Sequence, residues 1–208
     1  MNIFVMLPII VLVLVVVAVI VIVTLHGRRA RAQDAKRDEQ SPKDPFASGD
    51  QDALRGDPRE LTAGDIVEIR GMSYTVRGTL RLSEGGWKWA EHLLDDARGN
   101  QVWLSVEEDP DLILSQWTDL TDEEEAPEPG PSKIELDGRT FRSEESGSAS
   151  FRSEATTGLN EQGSVRYHDY EAGDGAMLGF ESFDGAEWEA TRGEELNRYD
   201  VRIYPAST

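Results

Sequence analysis

Tyr74-Thr75-Val76-Arg77-Gly78-Thr79-Leu80-Arg81-Leu82 decides the fold class: its apolar side chains fall on even positions and its polar ones on odd positions, with Gly78 the one gap on the apolar face. Only a strand gathers residues i, i+2 and i+4 on one side, so the stretch reads as a half-buried antiparallel β-strand. Gly85-Gly86 supplies a turn, and Trp87-Lys88-Trp89 begins a second strand with both indoles on one side. Upstream, Gly64-Asp65 leads into the short strand Ile66-Val67-Glu68-Ile69. Downstream, residues 95–100, with Gly99, form a turn before Val102-Trp103-Leu104-Ser105-Val106-Glu107. A meander is the simplest path for such a chain.

Residues 121–132 carry four consecutive acids, Asp122 to Glu125, followed by Pro127, Pro129, Gly130 and Pro131, a run that reads as a linker. Strand-like pieces resume at 134–136, 139–142, 149–152, 165–170, 176–183, 187–191 and 199–204. The two stretches echo one another. Gly71-Met72-Ser73-Tyr74 recurs as Gly138-Arg139-Thr140-Phe141, Trp87-Lys88-Trp89 as Val165-Arg166-Tyr167, and Trp103-Leu104-Ser105-Val106-Glu107 as Met177-Leu178-Gly179-Phe180-Glu181. Two related β halves, about 60–120 and 133–205, would give this order, and so would chance recurrence of common β patterns. The expected fold is mainly β, an antiparallel sandwich or barrel-like body spanning residues 60–208.

Ahead of that body, residues 3–25 contain no charged side chain. As a helix they would extend roughly 35 Å, enough to cross a hydrocarbon core of about 30 Å. The preceding Met1 and Asn2 are uncharged, whereas Arg28, Arg29, Arg31, Lys36 and Arg37 follow with one acid, Asp34, among them. Retention of positive charge on the cytoplasmic side places residues 1–2 outside, residues 3–25 across a bacterial inner membrane, and the rest in the cytoplasm. The same five cations are candidate contacts for anionic lipid headgroups. A cleavable signal peptide fits less well, because the leading segment lacks a basic side chain and the apolar run is too long. Residues 26–59, with Pro42, Pro45, Pro58, Gly49 and Gly56, read as a basic juxtamembrane segment and flexible linker.

Of 208 residues, 40 are acidic and 21 basic, a net charge of -19. From Glu60 onward the counts are 33 and 13, so the acidity belongs wholly to the β body. Repulsion of polyanions excludes general nucleic-acid binding, while a basic protein, a polyamine or a divalent cation remains an allowed partner. The absence of cysteine removes disulfides, thiolate metal sites and thiol nucleophiles. No P-loop, Gly-x-Gly-x-x-Gly or Gly-x-Ser-x-Gly occurs, so no cofactor is expected.

In order and spacing, Gly64-Asp65, Tyr74-x-Val76-x-Gly78, Trp89-x-Glu91, Leu94-x-Asp96, Gly99, Trp103-Leu104-x-Val106-Glu107, Gly138-x-x-Phe141 and Tyr204-Pro205 resemble the bacterial family catalogued as domain of unknown function 4178. The resemblance covers about residues 61–205. His92 departs from it, standing where an aromatic, usually Tyr, is expected. The family implies no activity; its members occur as small membrane-tethered or multi-domain proteins, in gene neighbourhoods linked to envelope stress and polyamine-synthase-like proteins.

Candidate chemistry is sparse. His92 and His168 have acidic neighbours, Glu91 and Asp169, but adjacent strand residues face opposite sides, so a metal site is not expected and both imidazoles read as solvent-facing or half-buried. Glu107 with Glu108, or Glu181 with Glu187, could be drafted as an acid/base pair for a hydrolase. Trp103 reads as core, whereas Trp87 and Trp89, beside a turn, are candidates for partner binding. The expected role is non-catalytic: a membrane-tethered cytoplasmic binding or scaffold domain in an envelope-stress system. The alternatives are a hydrolase using paired carboxylates and a polyamine- or cation-sensing acidic surface.

Overall fold

A computed structural model describes residues 55–120 and 127–206. The proposed span at 3–25, its arginine collar and the linker up to residue 54 lie outside the described residues. Among those described, no helix is long and apolar enough to cross a membrane.

Eleven antiparallel strands make up the domain: β1 (Ile66–Ile69), β2 (Met72–Glu84), β3 (Trp87–Asp95), β4 (Gln101–Glu108), β5 (Leu112–Asp119), β6 (Lys133–Leu136), β7 (Arg139–Ala155), β8 (Gln162–Ala172), β9 (Ala176–Phe183), β10 (Glu189–Leu196) and β11 (Val201–Tyr204). The ladder runs β11-β1-β2-β3-β4-β5-β10-β9-β8-β7-β6, and a further β2–β7 pairing joins its ends. The eight strands from β2 to β7 therefore close into a barrel, leaving no free edge among them. Of the two expected architectures the barrel is the one formed. The sandwich is excluded because β2 and β7 are long enough to pair with each other in their C-terminal halves, Gly78 to Ser83 against Ala155 to Ser150, while their N-terminal ends pair with β1 and β6.

The strand that opened the sequence reading serves two cores rather than one. A bulge between Val76 and Gly78 shifts the register against β3, so Tyr74 and Val76 join Leu94 and Leu104 outside the barrel, whereas Leu80 and Leu82 turn inward. Gly78 is required there: a Cβ would stand 2.5 Å from the Thr156 carbonyl oxygen. β7 repeats the device, with a bulge between Ser143 and Glu145 that sends Phe141 outward and Phe151 inward.

Three apolar clusters result. One lies between the outer face of β3–β5 and the β1–β11 flap, a second between the outer face of β8–β10 and β6, and the third, including Leu80, Leu82, Phe151, Val165 and Phe183, plugs one end of the barrel interior. Tyr170, in the second cluster, also holds the end of the inter-strand linker: its hydroxyl accepts from Gly130 N and donates to Pro131 O, both at 2.9 Å.

β1–β5 and β6–β10 have the same order and connections. Ile69↔Met72 and Leu136↔Arg139 flank Gly71 and Gly138, and both bulges fall at the same distance beyond. Counted from this register, His92 corresponds to His168, Leu93 to Asp169, Trp103 to Gly179 and Ser105 to Glu181. The Gly71/Gly138 echo lies on that register. The echoes of Trp87-Lys88-Trp89 and of Trp103 match strands and faces but stand two residues off it. β11 has no counterpart in the scheme; it returns to pair with β1.

Candidate functional site

The interior beyond the apolar plug is open. A cavity of about 390 Å³ runs to the mouth formed by the β2–β3 and β4–β5 turns, within the size range of small-ligand sites. Side-chain size differs at corresponding positions of the wall: where the first half carries Trp103 and Leu80, the second carries Gly179 and Gly147. A Cβ at Gly147 would stand 2.6 Å from the Tyr167 hydroxyl oxygen, and one at Gly179 3.0 Å from Trp117 Cζ3, so these glycines make room for rings from neighbouring strands.

Among the described residues, five aromatic side chains and seven carboxylates line this space, and no basic residue does. Trp103 and Trp117 lie on directly paired positions toward the plug, and Trp117 Nε1 donates to Ser105 Oγ at 3.1 Å. Trp89 packs edge-to-face on Tyr167, their centroids 6.2 Å apart. Trp87, 59% exposed, stands at the rim. The Tyr167 hydroxyl donates to Glu84 Oε2 at 2.6 Å and lies 3.2 Å from Glu145 Oε1.

The carboxylates divide by depth. Glu91, Asp169 and Glu181 line the cavity and are strongly desolvated by the surrounding protein. Desolvation pushes Glu91 up to about 7, against the lowering effect of a 3.0 Å hydrogen bond from Trp89 Nε1. Burial, reinforced by Glu91, Glu145 and Glu107, raises Asp169 to about 7. Glu181 is raised well above the usual carboxylate range by burial, with Glu91, Asp169 and Glu189 adding repulsion. Glu107, two residues beyond Ser105 toward the β4–β5 turn, is raised by burial and by Asp109 and Glu145. Glu84 goes the other way, held low by the Tyr167 hydroxyl and the Ser148 amide. Burying three carboxylates is costly unless a countercharge is supplied, so burial favours their neutral forms and a cation beside them would favour ionisation.

The sequence-level candidates distribute unevenly. Trp89 and Trp103 face the cavity, with Trp103 also packing on the plug; Trp87 lies at its rim, and Glu107 and Glu181 line it. Their drafted partners do not join them: Glu108 and Glu187 are exposed, outside the lining. His92 corrects an expectation. Rather than facing solvent it is wholly buried, because the β1–β11 flap covers this face of β3. Its Nδ1 lies 2.9 Å from Thr79 Oγ1, its Nε2 has no partner among the described residues, and desolvation with nearby Arg81 lowers its pKa to about 3. His168 is half-buried, stacked on Tyr170 and bonded through Nε2 to Ser143 Oγ at 2.8 Å. Alternation puts Glu91 and Asp169 on the opposite face from these imidazoles, and the described residues contain no cluster of His, Asp and Glu arranged for a metal ion. Of the cavity's acids, the sequence reading drafted Glu107 and Glu181 with the wrong partners, named Glu91 and Asp169 only as neighbours of the histidines, and missed Glu84, Asp109 and Glu145, because acids on this chain are common and only inward parity, set by the bulges, distinguishes them.

The profile of the family described as domain of unknown function (DUF4178) matches residues 62–198. The chain belongs to this family. Uncharacterized proteins of Mycobacterium bovis and Mycobacterium tuberculosis are each 38% identical to it over 156 residues, covering 72% of this chain and 74% of theirs. No solved structure matches. The span matched by the DUF4178 profile reaches from just before β1 to just after β10, so it contains every strand of the barrel and every residue lining the cavity.

Proposed function

We propose that this DUF4178 domain is a non-catalytic binding module that takes a small organic cation into its barrel. The observation that carries the reading is the lining itself: buried carboxylates with no basic residue among the lining, walled by indole and phenol rings. An ammonium group in such a space is paired with carboxylate, sheltered from water and faced by aromatic surfaces, each of which strengthens its binding. This moves the polyamine- and cation-sensing alternative from the acidic exterior to the interior. The apolar run at 3–25 and its arginine collar support a tether at the inner membrane with the barrel on the cytoplasmic side; an envelope-stress setting rests on the family resemblance alone.

The test is titration of the full-length chain, in nanodiscs, with an alkylammonium ion, its neutral alcohol isostere and its carboxylate isostere, read by tryptophan emission and thermal midpoint. Saturable change with the ammonium alone is expected. Equal responses to all three, or none to the ammonium, would refute the reading.

A further inference from the structure

Hydrogen bonding divides the acids that line the cavity. Glu84 and Glu145 have the Tyr167 hydroxyl within hydrogen-bond distance, Glu91 has Trp89 Nε1, and Glu107 and Asp109 reach solvent. The carboxylates of Asp169 and Glu181 receive no hydrogen bond or ion pair from any described residue, although the surrounding protein desolvates both strongly. These two are neighbours. In the β8–β9 ladder Tyr167 stands directly opposite Glu181 and Asp169 directly opposite Gly179, which makes Asp169 and Glu181 a diagonal pair on the inner face. Gly179 brings an indole to the same place: a Cβ there would stand 3.5 Å from Asp169 Oδ1 and 3.0 Å from Trp117 Cζ3, so carboxylate and ring meet over one backbone position. Glu91 faces the pair from β3, across the barrel, and its charge acts on both. Three acids from three strands therefore act on one space, and no cluster among the described residues has the arrangement that a metal ion requires.

We propose that Asp169, Glu181 and Glu91 form one seat for a single primary ammonium group, with the Trp117 ring beside it. The proposal rests on the organic-cation reading above and sharpens it to where the charge sits and what that charge must carry. An ammonium group offers three N–H donors, one for each carboxylate, and it offsets the repulsion that otherwise keeps protons on the acids. A quaternary ammonium ion carries the same charge and suits aromatic surfaces, but it has no donor to give to acceptors cut off from water. Selection for N–H over N–CH3 thus distinguishes a seat built on these acids from one built on the rings.

Full-length protein in nanodiscs of neutral lipid is titrated calorimetrically with butylammonium, butyltrimethylammonium and magnesium chlorides, at about 150 mM KCl so that surface charge is largely screened. Butylammonium is expected to bind one per chain and at least tenfold tighter than the quaternary ion, with magnesium giving no saturable heat. Asp169→Asn and Glu181→Gln should each weaken butylammonium at least tenfold, while Glu187→Gln, exposed and outside the lining, leaves it within twofold. Circular dichroism and thermal midpoints confirm that the variants fold, and the selectivity of the wild type tests the proposal without them. Equal or tighter binding of the quaternary ion, or wild-type affinity in either seat variant, overturns the seat but leaves the organic-cation reading standing. Absence of saturable butylammonium binding overturns both. Binding that magnesium matches and that Glu187→Gln weakens as much as Glu181→Gln does assigns the effect to the acidic surface and also overturns both.

Discussion

The six-membered ring of Trp117 lies against the backbone of Gly193, its direct partner across the β5–β10 ladder, so closely that a Cβ at position 193 would stand 2.5 Å from Cε3. Gly193 is outside the positive-φ region, so alanine meets no backbone strain there and the whole cost is steric. Gly193→Ala should destabilise the domain by about 1–3 kcal/mol in urea denaturation, the usual range for overpacking. In a Trp117→Ala background the same change should cost less than about 0.5 kcal/mol, because the ring it strikes is gone. Equal costs in both backgrounds would place the clash elsewhere.

The alternation in 74–82 and the glycines at 71, 85–86, 99 and 138 make strands and turns legible, since period-two burial and left-handed turn positions are local properties. Gly85 and Gly86 both have positive φ, +55° and +103°, as a two-residue hairpin turn demands. Closure of the barrel is not local. β5 carries no clean alternation, with Leu112, Ile113 and Leu114 in succession, and β7 spans Ser143 to Ser148 with almost no apolar residue. Both strands face a polar cavity on one side, so the usual apolar signal is missing where the function lies. The inward acids are illegible for the same reason: their parity depends on two bulges that no turn signature marks.

Stability should respond to pH in two opposing ways. Unfolded Asp and Glu titrate near 4, whereas Glu91 and Asp169 in the fold hold their protons to about 7. Between these values the native state binds more protons than the unfolded one, so their contribution is full below about pH 4 and is lost as pH rises toward 7. His92 has the reverse sign: its folded pKa of about 3 lies below the unfolded 6.5, so its contribution is present above that value and is lost as pH falls. Urea denaturation of wild type and Glu91→Gln from pH 4 to 8 separates the two. The variant should gain stability relative to wild type as pH rises to about 7 and then run parallel; curves parallel throughout would remove Glu91 from the account.

Burial of His92 against Thr79 predicts non-additive substitutions. Thr79→Val alone leaves the imidazole Nδ1 without its partner beside an already unpartnered Nε2, at a cost of about 1–3 kcal/mol. His92→Leu alone strands the buried Thr79 hydroxyl and should cost about 1–3 kcal/mol. Replacing both polar groups, in Thr79→Val with His92→Leu, should come within about 1 kcal/mol of wild type at pH 7, because no buried donor or acceptor is then stranded. A double variant as unstable as the sum of its single changes would show that the pair contributes more than mutual satisfaction.

Asp65, the acid of the Gly64-Asp65 signature, joins the entry to β1 to the exit from β11. One carboxylate oxygen accepts from Thr62 N at 2.8 Å and Thr62 Oγ1 at 3.1 Å, and the other from Ala206 N at 2.8 Å. Its backbone carbonyl accepts from Val76 N at 2.9 Å, fixing the side chain's position on β2. Asp65→Ala strips the acceptor from two backbone amides at once and should cost about 2–4 kcal/mol, since charge-assisted bonds are lost and their donors are left partly buried. Asp65→Asn keeps one oxygen but turns an amide NH2 toward one of the two N–H groups, so it should recover only part of the loss. Hydrogen exchange locates the effect: protection at Ala206 should fall in both variants, while the β3–β4 ladder keeps its protection relative to global stability. Wild-type protection at Ala206 in Asp65→Asn would mean that the tail is held by packing on β1 rather than by the carboxylate.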